Sequence, residues 1–228
     1  MSRMPRSKAV LAAIGCFGAA LLVGAVTVDA EPGKGAQPPF VAQVHELTPA
    51  MKRTMTGVSW KPGCPVPLEE LRMIRMRYWG FDTKAHKGTL IVNADIADKT
   101  VRAFHKLYDA RFPIRRMEPV DVYGGSDDAS MAADNTSAFN CRPVTGTTDR
   151  WSNHSYGRAI DINTIENPYV KGNTVLPPAG ADFLDRANVR PGMVVRGDVA
   201  TTAFAAEGFG WGGDYTSLKD YQHFEFIP

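Results

Sequence analysis

A run of 20 residues without a charged side chain, Ala9 to Val28, divides this 228-residue chain into two materials and sets the conditions under which the rest must fold. Arg3, Arg6 and Lys8 precede the run as a positive flank, and Val28-Asp29-Ala30 places small residues before Glu31, so residues 1–30 read as an export signal. The run is also about as long as a bilayer is thick, which makes a retained N-terminal membrane anchor the alternative. In both cases the remainder folds outside the reducing cytosol, where it is secreted or stays with the cell envelope. Two cysteines remain there, Cys64 and Cys141, and an oxidising compartment predicts a disulfide between them. That bond closes a loop of about 77 residues and stabilises the fold by ~4 kcal/mol in the chain-entropy picture.

The leading segment takes the excess charge with it. The whole chain has 26 Lys+Arg and 24 Asp+Glu, whereas residues 31–228 carry 23 of each. A balanced domain offers no basic footprint for nucleic acid or for an anionic membrane surface, so neither is an expected partner, and any membrane contact runs through the N-terminus. With 44% hydrophobic residues the chain can build an ordinary globular core. A single domain is expected, and a monomer.

Residues 31–59 crowd Pro32, Gly33, Gly35, Pro38 and Pro39 together and read as a flexible linker, with a catalytic-sized domain over 60–228. Ile74, Met76 and Tyr78 fall at alternate positions of a strand reaching Phe81. A turn-like stretch then leads to Thr89-Leu90-Ile91-Val92, which predicts a hairpin with a long loop. Asn93 or Asp95 can cap a helix carrying Ala97, Val101, Phe104, Tyr108 and Phe112, ended by Pro113. Arg116 to Tyr123 reads as a strand, and residues 124–148 as a long polar stretch of the kind that carries function. Asp198 can cap a helix through Phe204 that stops at Gly208, and Tyr221 to Ile227 reads as a terminal strand. The fold class is α+β.

The chemistry concentrates in two segments. In Gly157-Arg158-Ala159-Ile160-Asp161-Ile162-Asn163 the two isoleucines share one face of a strand, so Asp161 is aimed from the other. His154 lies seven residues earlier, and Gly157 permits the turn that folds it back toward Asp161. Near the C-terminus Phe224 and Phe226 alternate with His223 and Glu225, so a core-facing pair of phenylalanines turns His223 to the opposite face. Two imidazoles and one carboxylate form the donor set of a catalytic zinc, and the absence of thiolate favours zinc over softer-metal sites.

The string SNHSYGRAID follows the S-x-H-x-x-G-x-A-x-D pattern, and DYQHFEF carries a terminal [DE]-x-x-H element. Together they resemble the D-Ala-D-Ala metallopeptidase family, which includes zinc carboxypeptidases, dipeptidases and L-Ala-D-Glu endopeptidases of the bacterial cell wall. The resemblance covers roughly Gly63 to the end. It implies a small antiparallel sheet with flanking helices and the metal on the sheet face. It also implies that His154, Asp161 and His223 bind Zn2+ and that Asp220 is the catalytic acid/base. The family often has Glu at that position; Asp is similar to its endopeptidase branch. Glu225 is the rival carboxylate, read as a partner of a metal ligand. By the same resemblance Arg142 binds the substrate carbonyl, with Arg116 and Arg158 as alternatives. Ser152, two residues before His154, is a candidate to orient substrate or His154 itself, and Tyr156 and Trp211 to line the cleft for substrate contact, while His86 and His105 read as structural. The implied activity is hydrolysis of an amide bond in peptidoglycan peptide stems. A non-catalytic, metal-stabilised wall-binding module and a phage-derived lysin are the competing readings.

Overall fold

The computed structural model describes Met1 and residues 38–228, so the export segment and the first part of the expected linker lie outside the described residues. The rest of that linker is ordered structure, which corrects the sequence expectation. β1 (Ala42–Glu46) pairs antiparallel with β2 (Leu71–Trp79) from Ala42 opposite Met76 to Glu46 opposite Arg72, and α1 (Pro49–Met55) follows behind a Thr48 cap. The prolines do not keep the segment loose because distant groups hold it. Phe40 stacks on His105 at 4.6 Å, Tyr108 donates to the Pro38 carbonyl at 2.7 Å, and Arg77 donates to the Pro39 carbonyl at 2.8 Å.

β2 pairs along its whole length with β3 (Ala85–Asn93), so the connection is only Gly80 to Lys84, shorter than the sequence suggested. The Asn93 side chain accepts from the Asp95 amide and starts a 3-10 turn that runs into α2 (Ala97–Asp109). This helix ends before Pro113 because Arg111 takes a left-handed conformation. Its apolar side, with Ala103, Phe104 and Leu107, packs onto Ile74, Met76, Leu90 and Val92 of the hairpin.

The expected strand over 116–123 shrinks to β4 (Arg116–Met117), since the chain enters a 3-10 turn at Val120 behind Pro119, which has no N–H to give a ladder. The polar stretch that follows contains α3 (Asp127–Ala132) and β5 (Asn135–Thr136), and β5 runs parallel to β4. Next come β6 (Ala159–Asp161), β7 (Tyr169–Lys171) and β8 (Thr174–Leu176). α4 (Val199–Ala206) is capped by Asp198, as predicted, through a 2.7 Å bond from the Thr201 amide. The chain closes with β9 (Phe209–Trp211), β10 (Lys219–Asp220) and β11 (His223–Phe226).

Among the described residues these strands form three three-stranded antiparallel sheets, β1-β2-β3, β10-β7-β8 and β6-β11-β9. This is the α+β class read from the sequence. Phe204, Phe209 and Phe224 cluster under the last sheet, with Phe204 stacked on Phe224 at 4.3 Å between centroids. The predicted disulfide joins Cys64 to Cys141, with Cα atoms 6.0 Å apart, beside a second core cluster of Leu47, Met55, Leu71 and Phe139. Among the described residues, no helix is long and apolar enough to cross a membrane.

Candidate metal centre

Three short elements bring the two motifs together. Residues Asn153–Tyr156 form a 3-10 turn that Ser152 caps, its Oγ accepting from the His154 amide at 3.3 Å. Gly157 ends the turn at φ +66°, and its carbonyl accepts from the Asn93 amide. A Cβ at Gly157 would lie 2.6 Å from that same nitrogen, so the position needs glycine on two counts. The reversal the sequence predicted returns His154 to the face of β6. Asp161 and His223 are direct partners in the β6–β11 ladder, and Ile160 and Phe224, the neighbouring pair, turn into the core.

The side chains converge. His154 Nε2 lies 3.2 Å from Asp161 Oδ2 and 3.2 Å from His223 Nδ1, and His223 Nδ1 lies 3.0 Å from Asp161 Oδ1. The donor atoms of all three fall within 4.8 Å of one another, and all three residues are buried. Zinc at about 2.0–2.1 Å from tetrahedrally placed donors holds those donors about 3.3 Å apart, close to the spacing here. The outward nitrogens are held as well. His154 Nδ1 meets the Ala138 carbonyl at 2.6 Å, which leaves Nε2 to the cluster. His223 Nε2 lies 3.5 Å from Glu225 Oε2, and Glu225 accepts from Tyr215 Oη and Asn153 Nδ2. Glu225 thus backs a candidate ligand. It also ties His223 to the turn that carries His154.

The electrostatics favour a cation at this point. Burial pushes the Asp161 carboxyl up, but the charge and hydrogen bonds of His154 and His223 outweigh it and hold the group far below the usual carboxylate range. Burial disfavours charge on His223, yet its hydrogen bonds to the Asp161 and Glu225 carboxylates lift it to about 10, so the negative charge of the cluster outweighs the cost of burying a cation here. Glu225 is held down to about 2, first by its His223 contact.

These residues lie in a cleft of about 510 Å3 that Asp220 also lines. Asp220 sits on β10 opposite Tyr169, in a different sheet from His223, three residues later. Gly212 allows this proximity, since a Cβ there would lie 2.5 Å from the Asp220 carbonyl and 3.2 Å from His223 Cβ. Asp220 Oδ1 is buried without a hydrogen-bond partner among the described residues. Burial and then repulsion from Asp161 raise this carboxyl to about 6 against the opposing pull of His223.

The other sequence candidates divide. Arg142 lines the cleft, and its Nη2 pairs with Asp127 Oδ2 at 2.9 Å. Asp127 was missed by sequence reasoning. It stands 15 positions before Arg142 with no shared periodicity, and only the capping pattern of Ser126 marks its neighbourhood. Ser152 reaches the cleft, but its hydroxyl is engaged in capping. Tyr156 and Trp211 are corrections, because neither lines the cleft. Tyr156 packs on the second core cluster, while Trp211 packs on the first and donates Nε1 to the Tyr221 carbonyl. Trp151, Tyr169 and Tyr215 are the aromatic residues that do line it. Arg158 is tied to Asp95 at 2.6 Å, and Arg116 is not part of the lining. His86 pairs with Asp82 and His105 stacks on Phe40, both structural as read.

No solved structure matches the chain. Residues 145–226 match a family model described as D-alanyl-D-alanine carboxypeptidase. That segment contains His154, Asp161, Asp220 and His223, and excludes Arg142 and Asp127. The match supports, over this segment, the peptidase family that the two motifs resemble.

Proposed function

We propose that this chain is an exported zinc peptidase that hydrolyses an amide bond in the peptide stem of bacterial peptidoglycan. The observation that carries the reading is the convergence of His154 Nε2, Asp161 and His223 Nδ1 in a cleft that also holds an unpartnered carboxylate, Asp220. Zinc held by these three side chains supplies a Lewis acid that activates water and polarises the substrate carbonyl.

The protein's own groups then divide the work. Asp220 Oδ1 has no competing donor among the described residues, so it is free to take a proton from the attacking water and return it to the leaving nitrogen. Burial raises this carboxyl above the usual carboxylate range and the charge of a bound metal opposes that rise, so the group can serve both halves of the exchange. Arg142, anchored through Nη2 by Asp127, faces the cleft as the cation for negative charge developing on the carbonyl oxygen. Ser152 and Gly157 act through the turn that sets His154. Two bond choices fit this machinery, the L-Ala-D-Glu bond within the stem and the terminal D-Ala-D-Ala bond. Asp at position 220 favours the first.

Incubation with purified muropeptides, followed by product masses, tests both choices. The expected result is cleavage that stops on chelation and returns with zinc. Cleavage that persists after complete metal removal, verified by elemental analysis, contradicts the proposal. A non-catalytic wall-binding module gives no products, and an unpartnered carboxylate beside its metal has no use there.

A further inference from the structure

Three of the residues that line this one cleft carry a buried side-chain atom with no hydrogen-bond partner among the described residues: Arg142 Nε, Asp220 Oδ1 and Gln222 Oε1. Buried polar groups are nearly always paired, so three together mark where a ligand completes the bonding. Arg142 and Asp220 already have roles in the proposed reaction. Gln222 has none.

Its placement is fixed from two sides. The main chain is tied into the sheet, with the Gln222 carbonyl accepting from the Ile162 amide at 3.0 Å. The residue is 4% exposed, and its side-chain Nε2 approaches the Met131 Sδ at 3.5 Å. A thioether is a weak acceptor, and its contact leaves the amide oxygen as the free end. A buried carbonyl oxygen selects a donor. His154 and His223, in the same cleft, have no N–H to spare for it, since they direct theirs to Ala138 and Glu225. In a peptide substrate the matching group is a backbone N–H.

We infer that Gln222 is a substrate-binding residue whose side-chain carbonyl accepts a hydrogen bond from a main-chain N–H of the bound peptide, so that the enzyme requires an unsubstituted secondary amide at one position of its substrate. This rests on the peptidase reading above. It also gives the cleft a direction, because an N–H at Gln222 and a carbonyl at Arg142 orient the chain between them.

The test compares the full zinc-loaded protein with Gln222→Met, which keeps length and apolar character and removes the acceptor. The substrates are a stem peptide and analogues N-methylated at each amide other than the one cleaved. The expected KM for the parent peptide rises about 3- to 10-fold, the usual worth of one neutral hydrogen bond, with kcat nearly unchanged. At one position N-methylation costs the wild type a similar factor and costs the variant nothing further. Zinc content and Tm serve as controls that the site is intact. An unchanged KM, or N-methyl penalties that are the same in both proteins at every position, overturns the inference while leaving the peptidase reading standing. Should the variant fold poorly, the wild-type series decides: a series with no position sensitive to N-methylation overturns it. Wild-type protein that cleaves no stem peptide with zinc present overturns the peptidase reading, and this inference falls with it.

Discussion

The β2–β3 hairpin and the β6-β11-β9 sheet are built on opposite terms. The hairpin strands have nine residues each and pair over nine positions; Leu71, Ile74, Leu90 and Val92 are fully buried, and Asn93 at its end is its one buried polar residue. The site sheet has strands of three or four residues, and around it Ser152, His154, Ser155, Asp161, Asn163, Thr164, Glu166, Asn167, Gln222 and His223 are all buried. Burying apolar area drives folding, whereas burying polar groups costs free energy unless each finds a partner. The second region therefore depends on bracing. Asn163 and Asn167 do much of it. Asn167 donates to the Ile162 and Gly192 carbonyls and accepts from Val194 N and Arg186, which fixes the loop after β6. The difference teaches that one part of the chain supplies stability and the other spends some of it on a site.

That contrast can be broken by substitutions on either side. His223→Ala has the largest expected effect: zinc is lost and cleavage falls to background, while near-ultraviolet circular dichroism still reports a folded domain. Retention of one zinc per chain in this variant would remove His223 from the ligand set. On the platform side, Phe204→Ala removes a fully buried ring stacked on Phe224 and should cost about 3–5 kcal/mol by denaturant titration. Zinc stoichiometry and KM of the remaining folded protein should stay as in the wild type. A matching loss of zinc affinity would mean that the two regions are not separable.

Glu225→Gln is the finer probe within the site. It keeps the shape but removes the charge behind His223, and zinc affinity measured by chelator competition should weaken about 10- to 100-fold. Cleavage at saturating zinc should fall less than in Asp220 variants. The smallest effect concerns Glu166, which burial and the nearby Asp134 carboxylate lift to about 8. Its folded-state value is raised, so its contribution is fully present below the unfolded value near 4.5 and is lost as pH rises through about 8. Glu166→Gln should accordingly raise Tm at pH 9 relative to wild type and change it little at pH 4. An equal change at both would assign the effect to packing instead of ionisation.

How much of this could be read in advance follows from where each signal lies. His154, Asp161 and His223 were legible because the alternation of Ile160 with Asp161, and of His223 with Phe224, is local, and because Gly157 announces a reversal. The Asp198 cap and the disulfide were legible for similarly direct reasons. β1 was not, because an edge strand is defined by pairing with β2 some 30 residues away, while its own neighbourhood is full of proline and glycine. Tyr156 and Trp211 misled because an aromatic residue near a motif suits a core as well as a cleft, and only packing decides. Asp127 and Gln222 carry no spacing signal, and they acquire meaning once the fold gathers them into one cleft with Arg142 and Asp220.

The central claim is that the site separates metal holding from proton transfer, and Asp220→Asn tests it most directly. Zinc content and the pH dependence of kcat/KM are measured on the same preparation as the wild type. The account predicts close to one zinc per chain and a rate lower by about 10²- to 10⁴-fold. In the wild type, activity should fall on acidification through a value at or below about 6, since the working form of Asp220 is the carboxylate and a bound dication can only lower its pKa. That limb should be absent from the variant. Loss of zinc from Asp220→Asn would make the residue a ligand, and a wild-type rate with the acidic limb intact would give the proton transfer to another group.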